Sequence, residues 1–185
     1  IVSLLLGMAG FALRDPAAFW RGLKLAMSIA KTGARSWPYH LVYLAHACRI
    51  LGWMRADSVT HLHAHFGNNS AEIAALARIM GGPKFSYTAH GSEVFDNPLG
   101  HALPLKARLA QSVMTSCAYI GAQMKYHIPT EYWSKVQVVH CGLGAESFTD
   151  DPAPFPEAPV FLSVGRLRPE KGHLVLLEAF AKVHA

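Results

Sequence analysis

The first third of the chain alternates apolar and polar positions with the spacing of amphipathic helices. Asp15 followed by Pro16 is typical of a helix start, because the carboxylate accepts hydrogen bonds from free N–H groups and proline suits the first turn. We expect this helix to run to about Lys31 and to stop at Gly33. A second helix should cover about residues 38–54. One side of it carries Leu41, Leu44, Ala45, Cys48 and Leu51.

The thirteen residues from Ile1 to Leu13 form an apolar stretch that is interrupted by Gly7 and Gly10. A helix that spans a bilayer needs about 20 residues, so this stretch is too short to do so. It also lacks a basic leader region and a convincing cleavage site, which argues against a signal peptide. We therefore expect a buried or interfacial segment here.

From Asp57 onward, short β-like runs alternate with helical runs. The pattern predicts strands at about 59–66, 84–89, 113–117 and 136–139. Helices should lie at about 69–80, 103–109 and 118–126. This alternation is typical of an α/β fold in which a Rossmann-like parallel sheet carries helices on both faces. Ligands of such sheets bind at the carboxyl ends of the strands.

Four prolines between residues 152 and 159 predict a stiff connector and a domain boundary. We divide the chain into a partial N-terminal domain (1–150), a linker (151–159) and the truncated start of a second domain (160–185). The last part should contain a strand at 160–164 and a helix after Gly172. Both ends of the chain look cut, so we expect a fragment of a longer protein.

Charge and cysteine content narrow the classes of function. Lysine and arginine number 17 against 12 aspartates and glutamates, which gives a formal net charge of +5. This modest excess suits an anionic ligand or an acidic membrane surface, but the chain lacks the basic runs typical of nucleic-acid binding. Hydrophobic residues make up 51% of the chain, which excludes a disordered polymer. Three cysteines without metal spacing are expected to be reduced thiols in the cytoplasm.

His61, His63 and His65 alternate along the first predicted strand and therefore share one face of it. Histidines paired at a strand end can hold zinc, so a metal-dependent hydrolase is one alternative. No carboxylate cluster or further histidine motif with ligand spacing accompanies them downstream. The competing interpretation is that all three are ordinary strand residues, with only His65 near the cleft at the carboxyl end.

Two loops that follow predicted strands carry groups suited to a ligand. Gly67 lies just before a predicted helix start, and the free N–H groups of such a start suit an oxygen-rich ligand. After the next strand, His90 should project into the cleft, and Gly91 lets another group approach it. Imidazole can orient or polarise a sugar hydroxyl at neutral pH.

The segment from Gly165 to Gly172 is the most specific feature of the sequence. It places Arg166 and Lys171 five residues apart in a loop that opens a helix. Arginine supplies a planar fork and lysine a point charge, which together suit a diphosphate. The positive end of the helix adds to the potential at the same place. A solvated basic loop is the alternative interpretation.

Four segments in this order resemble the group 1 family of retaining glycosyltransferases with the GT-B fold, in particular its branch for colanic acid and other exopolysaccharides. They are His-Leu-His-Ala-His-Phe-Gly (61–67), Thr-Ala-His-Gly (88–91), Val-Val-His-Cys-Gly-Leu (138–143) and Val-Gly-Arg-Leu-Arg-Pro-Glu-Lys-Gly (164–172). The resemblance covers about residues 57–185 and reaches across the predicted linker.

The resemblance implies two Rossmann-like domains that face a cleft, the first for the acceptor and the second for a nucleotide-sugar donor. By position, His90 resembles the catalytic cleft histidine, while Arg166 and Lys171 resemble the pair that binds the donor diphosphate. The further candidates for contact with acceptor or sugar are His65, Gly67, Asn68 and Gly91. The family needs no divalent metal, so no metal site or cofactor is implied beyond the nucleoside-diphosphate sugar itself.

The implied enzyme transfers a sugar, with retention of configuration, to a carbohydrate or lipid-linked acceptor. It works in the cytoplasm, and an anionic membrane at its inner face is a further candidate partner, whereas nucleic acid is not. The family's first strand with its glycine-rich loop and its motif with two glutamates do not occur here, so residues 1–185 alone should not catalyse transfer. Gly144 stands where the family commonly has aspartate. A metal-dependent hydrolase and a non-catalytic transferase-like binding module are the alternatives.

Overall fold

The computed structural model describes residues 2–91, 94–148, 154 and 156–184. Its helices are α1 (Val2–Arg14), α2 (Pro16–Thr32), α3 (Trp37–Ala56), α4 (Asn69–Ile79), α5 (Leu103–Leu109), α6 (Ala118–His127) and α7 (His173–His184). Its strands are β1 (His61–His65), β2 (Lys84–Ala89), β3 (Ser112–Thr115) and β4 (Val136–Val138). The chain divides into two compact units, Ile1–Gly142 and Leu143–Ala185, which we describe separately.

The first unit contains a four-stranded parallel sheet with the order β1-β2-β3-β4. His63 lies opposite Ser86, Thr88 lies opposite Met114, and Val113 lies opposite Val136. The connections from β1 to β2, β2 to β3 and β3 to β4 run through α4, α5 and α6 in turn. The predicted α/β class is therefore confirmed, and the sheet is compatible with a Rossmann-like fold.

The helices cover one face of this sheet. Alternate strand residues such as Phe85, Tyr87 and Val113 are fully buried in a core that also holds Leu103 of α5 and Met124 of α6. When parallel strands follow one another in order, right-handed crossovers place every connecting helix on the same side. The prediction of helices on both faces is therefore wrong for the described residues.

Helices α1, α2 and α3 form a layer that packs against α4. The predicted start of α2 is confirmed, because the Asp15 carboxylate accepts from the N–H of Ala18 at 3.0 Å. Leu44 and Leu51 of α3 pack with Leu76 of α4 and with Met80, which directly follows α4, and all four are fully buried. Within the described part of the chain, no helix combines the length and the apolar character needed to cross a bilayer.

The second unit contains a predicted helix but not the strand expected before it. Helix α7 follows Gly172 as expected, whereas residues 160–164 form neither helix nor strand. A strand is stabilised by hydrogen bonds to a neighbouring strand, and no described strand pairs with these residues. Of the predicted linker, residues 151–153 and 155 lie outside the described residues.

Candidate functional site

The carboxyl ends of β1 and β2 bring His65 and His90 into contact. The two strands are neighbours in register, so the last residue of β1 lies beside the residues that follow β2. The Nδ1 atom of His65 is 2.9 Å from the Nε2 atom of His90. Two ring nitrogens at this distance hold one proton between them, so each ring fixes the tautomer of the other. The structure thus brings together a histidine predicted at the end of the first strand and a histidine predicted in the loop after the second.

The loops after β3 and β4 complete this edge of the sheet. The Sγ atom of Cys141 is 3.8 Å from Nδ1 of His90, and the thiol is exposed. The Ser116 hydroxyl donates to the His90 carbonyl at 3.4 Å, and His140 Nδ1 donates to the Ser116 carbonyl at 3.1 Å. The imidazole of His90 therefore lies between His65 and a thiol. Sequence reasoning missed Cys141 and Ser116, although both lie where a strand ends.

Phe66 adopts a left-handed backbone conformation directly after β1, with φ at 72°. A bulky residue rarely adopts this conformation, and such strain is concentrated at functional sites. Its N–H donates to the Thr88 carbonyl at 2.8 Å, and the Ser70 hydroxyl, which donates to the His65 carbonyl, also lies 3.1 Å from the Phe66 carbonyl. Its exposed ring lies 5.2 Å from the ring of His90. The strain thus places an apolar ring beside the paired imidazoles.

The remaining candidates in the loops have different surroundings. Gly67 is buried, and a Cβ built on it would lie 3.5 Å from Tyr87 and Val94, which is ordinary contact. The carbonyls of Gly67 and Asn68 point to a lysine rather than outward, since they accept from Lys106 at 2.9 and 2.7 Å. Gly91 is half-buried directly after His90.

The ring nitrogens of His61 and His63 form hydrogen bonds with neighbouring hydroxyl groups. His61 Nε2 is 2.8 Å from Ser86 Oγ, while His63 lies 2.7 Å from the same oxygen and 2.9 Å from Thr88 Oγ1. Burial first, and then the neighbouring imidazoles, lower the pKa of His63. Across residues 2–91, 94–148 and 156–184, no three histidine, cysteine or acidic side chains are grouped to hold a metal ion.

The basic loop of the second unit is ordered by backbone contacts. The N–H of Lys171 donates to the Arg168 carbonyl at 3.0 Å, in a short 3-10 turn that Gly172 ends with a left-handed φ of 65°. His173, the first residue of α7, donates from Nε2 to the Arg166 carbonyl at 3.1 Å. The side chains of Arg166 and Lys171 are both exposed ahead of the helix. Sequence reasoning missed His173, which anchors the loop.

Three ionisable side chains that sequence reasoning missed are buried between α3, α4 and α5. His40 is 2% exposed, Glu72 is 5% exposed and Lys106 is 1% exposed. His40 Nδ1 lies 2.6 Å from Glu72 Oε1. The only sequence indication is that each occupies a position on the apolar side of its helix, where a charged residue is uncommon.

Burial lowers the pKa of Lys106 from 10.5 to about 8, against the opposing effect of Glu72. A folded-state pKa below the unfolded one means that the charged ammonium destabilises the fold at neutral pH. This cost is relieved as the pH rises from about 8 to 10.5, because only the unfolded chain still holds the proton there. A charge retained at such a cost is a candidate for function.

Comparisons with known proteins found no matching family model, curated protein or solved structure. The sequence motifs and the geometry of the first unit are therefore the features that indicate its function. Two places carry that geometry: the His65–His90 edge of the sheet and the buried group around Lys106.

Proposed function

We propose that this chain is part of a retaining glycosyltransferase of the GT-B type. It would move a sugar from a nucleoside-diphosphate donor to a carbohydrate or lipid-linked acceptor during the synthesis of a cell-surface polysaccharide. The observation that carries the proposal is the paired imidazole of His90, held at the carboxyl edge of a parallel sheet where ligands of such folds bind. The four sequence motifs support it, because Thr-Ala-His-Gly includes this histidine.

The chemistry assigned to His90 is the placement of hydroxyl groups. Its ring is fixed by His65 on one nitrogen and faces the Cys141 thiol with the other. In the proposed step the bond from the anomeric carbon to the diphosphate oxygen breaks, and the acceptor oxygen bonds to that carbon from the same side. The acceptor proton passes to the departing diphosphate. An imidazole held in this way can keep a hydroxyl in the geometry for reaction.

The leaving diphosphate gains negative charge as its bond to the sugar breaks. Arg166 and Lys171 supply two exposed cations in a loop that opens the twelve-residue helix α7. Cations and a helix N-terminus stabilise such charge without a metal ion. This role of the loop is therefore proposed from its charge and from its place before a helix.

Replacing His90 with asparagine tests the proposal. In the longer enzyme that contains this chain, the variant should lose about a hundredfold in the rate of sugar transfer, because small losses of alignment have effects of that size. His61→Asn is the matched control, since His61 is hydrogen-bonded to Ser86 and not to the His65–His90 pair. Transfer is measured with a radiolabelled nucleotide sugar, and the anomeric configuration of the product by NMR.

Three outcomes of this experiment would count against the proposal. The first is an equal loss in both variants, and the second is a product of inverted configuration. The third is donor binding without transfer by the unaltered protein, which would favour a non-catalytic binding module. Stoichiometric zinc that is lost in His63→Ala would instead favour the metal-dependent hydrolase.

We also propose peripheral contact of the α1–α3 layer with an anionic membrane. Residues 1–56 contain seven lysines and arginines and one aspartate, a local net charge of +6 against +5 for the whole chain. Trp20, Trp37 and Trp53 are each more than half exposed in this layer. Lys24 lies 5.5 Å from the ring of Trp20, and Arg49 lies 5.0 Å from the ring of Trp53. Tryptophan and basic residues together are typical of helices at a lipid interface.

Co-sedimentation with vesicles that contain anionic phospholipid tests this contact. Lys24→Gln and Arg49→Gln should each weaken binding about fivefold at low salt, since one basic residue near such a surface contributes about 1 kcal/mol. Lys182→Gln removes the same charge from the exposed side of α7 and should leave binding nearly unchanged. Absence of binding by the unaltered chain, or an equal loss in Lys182→Gln, would reject the contact.

A further inference from the structure

A cavity of about 90 Å³ lies beside the buried ionisable group of the first unit. Its lining includes His40 and Arg35 from the α3 side, Asn68 and Glu72 from the start of α4, and Lys106 from α5. One water-sized group needs about 10–15 Å³ of such space, so the cavity has room for several of them. The cavity therefore has room for one small polyatomic ion or for one such group of a larger molecule.

The proton positions around His40 determine the charge of the cavity wall. The Arg35 carbonyl can only accept, so the His40 Nε2 atom 3.2 Å away carries a proton. The 2.6 Å contact between Nδ1 and Glu72 Oε1 then holds one further proton. Whichever atom bears it, His40 and Glu72 together are neutral. The Glu72 carboxylate is thus already compensated by His40.

Among the described residues, Lys106 has no counter-ion of its own, because Glu72, the carboxylate that raises its pKa, is paired with His40. Its ammonium donates to the carbonyls of Gly67 and Asn68, which are dipoles and carry no net charge. These two bonds use two of its three N–H groups. A buried ammonium whose described hydrogen-bond partners are two carbonyls is incompletely compensated, which favours a negative group beside it.

The start of α4 and the side chain of Arg35 also line this cavity. The eleven-residue helix α4 begins after Asn68, whose side chain makes no capping hydrogen bond. The first N–H groups of the helix therefore have no side-chain acceptor among the described residues, and they direct positive potential toward the helix start. Arg35 is exposed beside the cavity and adds a further positive charge. Three independent sources of positive potential thus meet at one small cavity.

From this arrangement we infer that the cavity is an anion subsite that binds one tetrahedral oxyanion, a phosphate or sulfate group, against Lys106 and the start of α4. The group can be a free ion or part of a phosphate ester, since both present the same oxygens. The subsite is separate from the His65–His90 pair, and it stands without the proposed transferase activity. Its ligand would also stabilise the β1–α4 loop, because Lys106 holds the carbonyls of that loop.

Titration with sulfate tests the inference, because sulfate keeps its charge across the pH range used. At pH 7 and constant ionic strength, the chain should bind sulfate saturably, as followed by amide NMR shifts of residues 68–72 against a chloride control. Lys106→Met should weaken binding about 10- to 100-fold, the size expected for a lost hydrogen bond to a charged group. Methyl phosphate in place of sulfate distinguishes the sources, because binding of the ester shows that a larger molecule can present the group.

The pH profile provides a second readout. Sulfate affinity of the unaltered chain should fall as the pH passes about 8, where Lys106 loses its proton. Arg35, Tyr43, the His40–Glu72 pair and His101 face the same cavity, and the Lys106→Met variant separates their contributions, since its profile should lack this fall. A profile of unaltered shape in Lys106→Met would overturn the inference.

Lys135→Met is the matched control. The Lys135 ammonium also donates to backbone carbonyls, those of Ala107, Arg108 and Ala110, but it lies away from the cavity lining. This variant should keep its sulfate affinity. If Lys106→Met does not fold, Arg35→Gln replaces an exposed side chain and should weaken binding at least threefold. Absence of saturable binding above chloride, or an equal loss in Lys135→Met, would overturn the anion subsite.

Discussion

Replacing Arg166 or Lys171 with alanine should lower the rate of sugar transfer by about two to three orders of magnitude, the range seen when one electrostatic stabiliser is removed. The physical reason is that charge develops on the leaving diphosphate, so a cation that contacts it stabilises the transition state more than the bound donor. The loss should therefore appear in kcat as well as in kcat/KM. Initial rates at varied donor concentration, in the longer enzyme, measure both.

Arg168→Ala is the control for these two variants. Arg168 belongs to the same exposed loop, so its replacement removes the same charge from the same region. It should reduce the rate only slightly if the diphosphate is bound by Arg166 and Lys171 alone. Rates of unaltered size in Arg166→Ala and Lys171→Ala would end the proposed role of the loop. An equal loss in all three variants would indicate a general effect of net charge.

Replacing Glu72 with alanine should lower the free energy of unfolding by about 3–5 kcal/mol at pH 7, the range for removal of one partner of a buried ion pair. The substitution leaves the imidazole of His40, 2% exposed, without its partner at 2.6 Å. It also removes the one carboxylate that raises the pKa of the buried Lys106. Urea unfolding at pH 7 measures the effect, and an unchanged m-value shows that the denatured state is unaltered.

A double variant distinguishes the contribution of the His40–Glu72 pair from the cost of leaving one of its members buried without a partner. His40→Leu combined with Glu72→Leu removes both polar groups and should cost less than Glu72→Ala alone, because apolar replacement of a whole buried pair is often close to neutral. Arg55→Ala is the surface control, since Arg55 lies 3.9 Å from Asp15 in an exposed pair and should change stability by about 1 kcal/mol or less. A loss of that small size in Glu72→Ala would show that the buried pair does not stabilise the fold.

Local elements of the first unit were predictable because their causes act over a few residues. Helix α2 starts where Asp15 caps it, and β2 and α5 have the predicted bounds 84–89 and 103–109. In α5, Pro104 in the first turn starts the helix, as the propensity of proline for that position suggests. The prediction of a strand at 160–164 is wrong, because a strand also needs a partner strand, which the local sequence does not reveal.

The candidate sites also combine features that the sequence predicts with features that depend on packing. Sequence placed His65 at the end of the first predicted strand and His90 in the loop after the second, and the parallel register of β1 and β2 brought them to 2.9 Å. The buried group was beyond prediction, because His40 and Glu72 are 32 positions apart and Lys106 lies 39 positions from the Gly67 carbonyl. In the sequence each of the three is an ordinary polar residue of a helix, and its burial is determined only when the helices pack together.

The amino-acid sequence by itself determined the α/β class of this protein, most of its helix and strand positions, the place of His65 at the end of a strand, and the loops that carry His90, Arg166 and Lys171. These features follow from hydrophobic period, capping residues and turn residues, which act between near neighbours. Only the tertiary structure decided that the helices cover one face of the sheet and that Lys106 is buried beside a neutral His40–Glu72 pair. Burial and proton sharing depend on which distant segments come together, and that is a property of the packed chain.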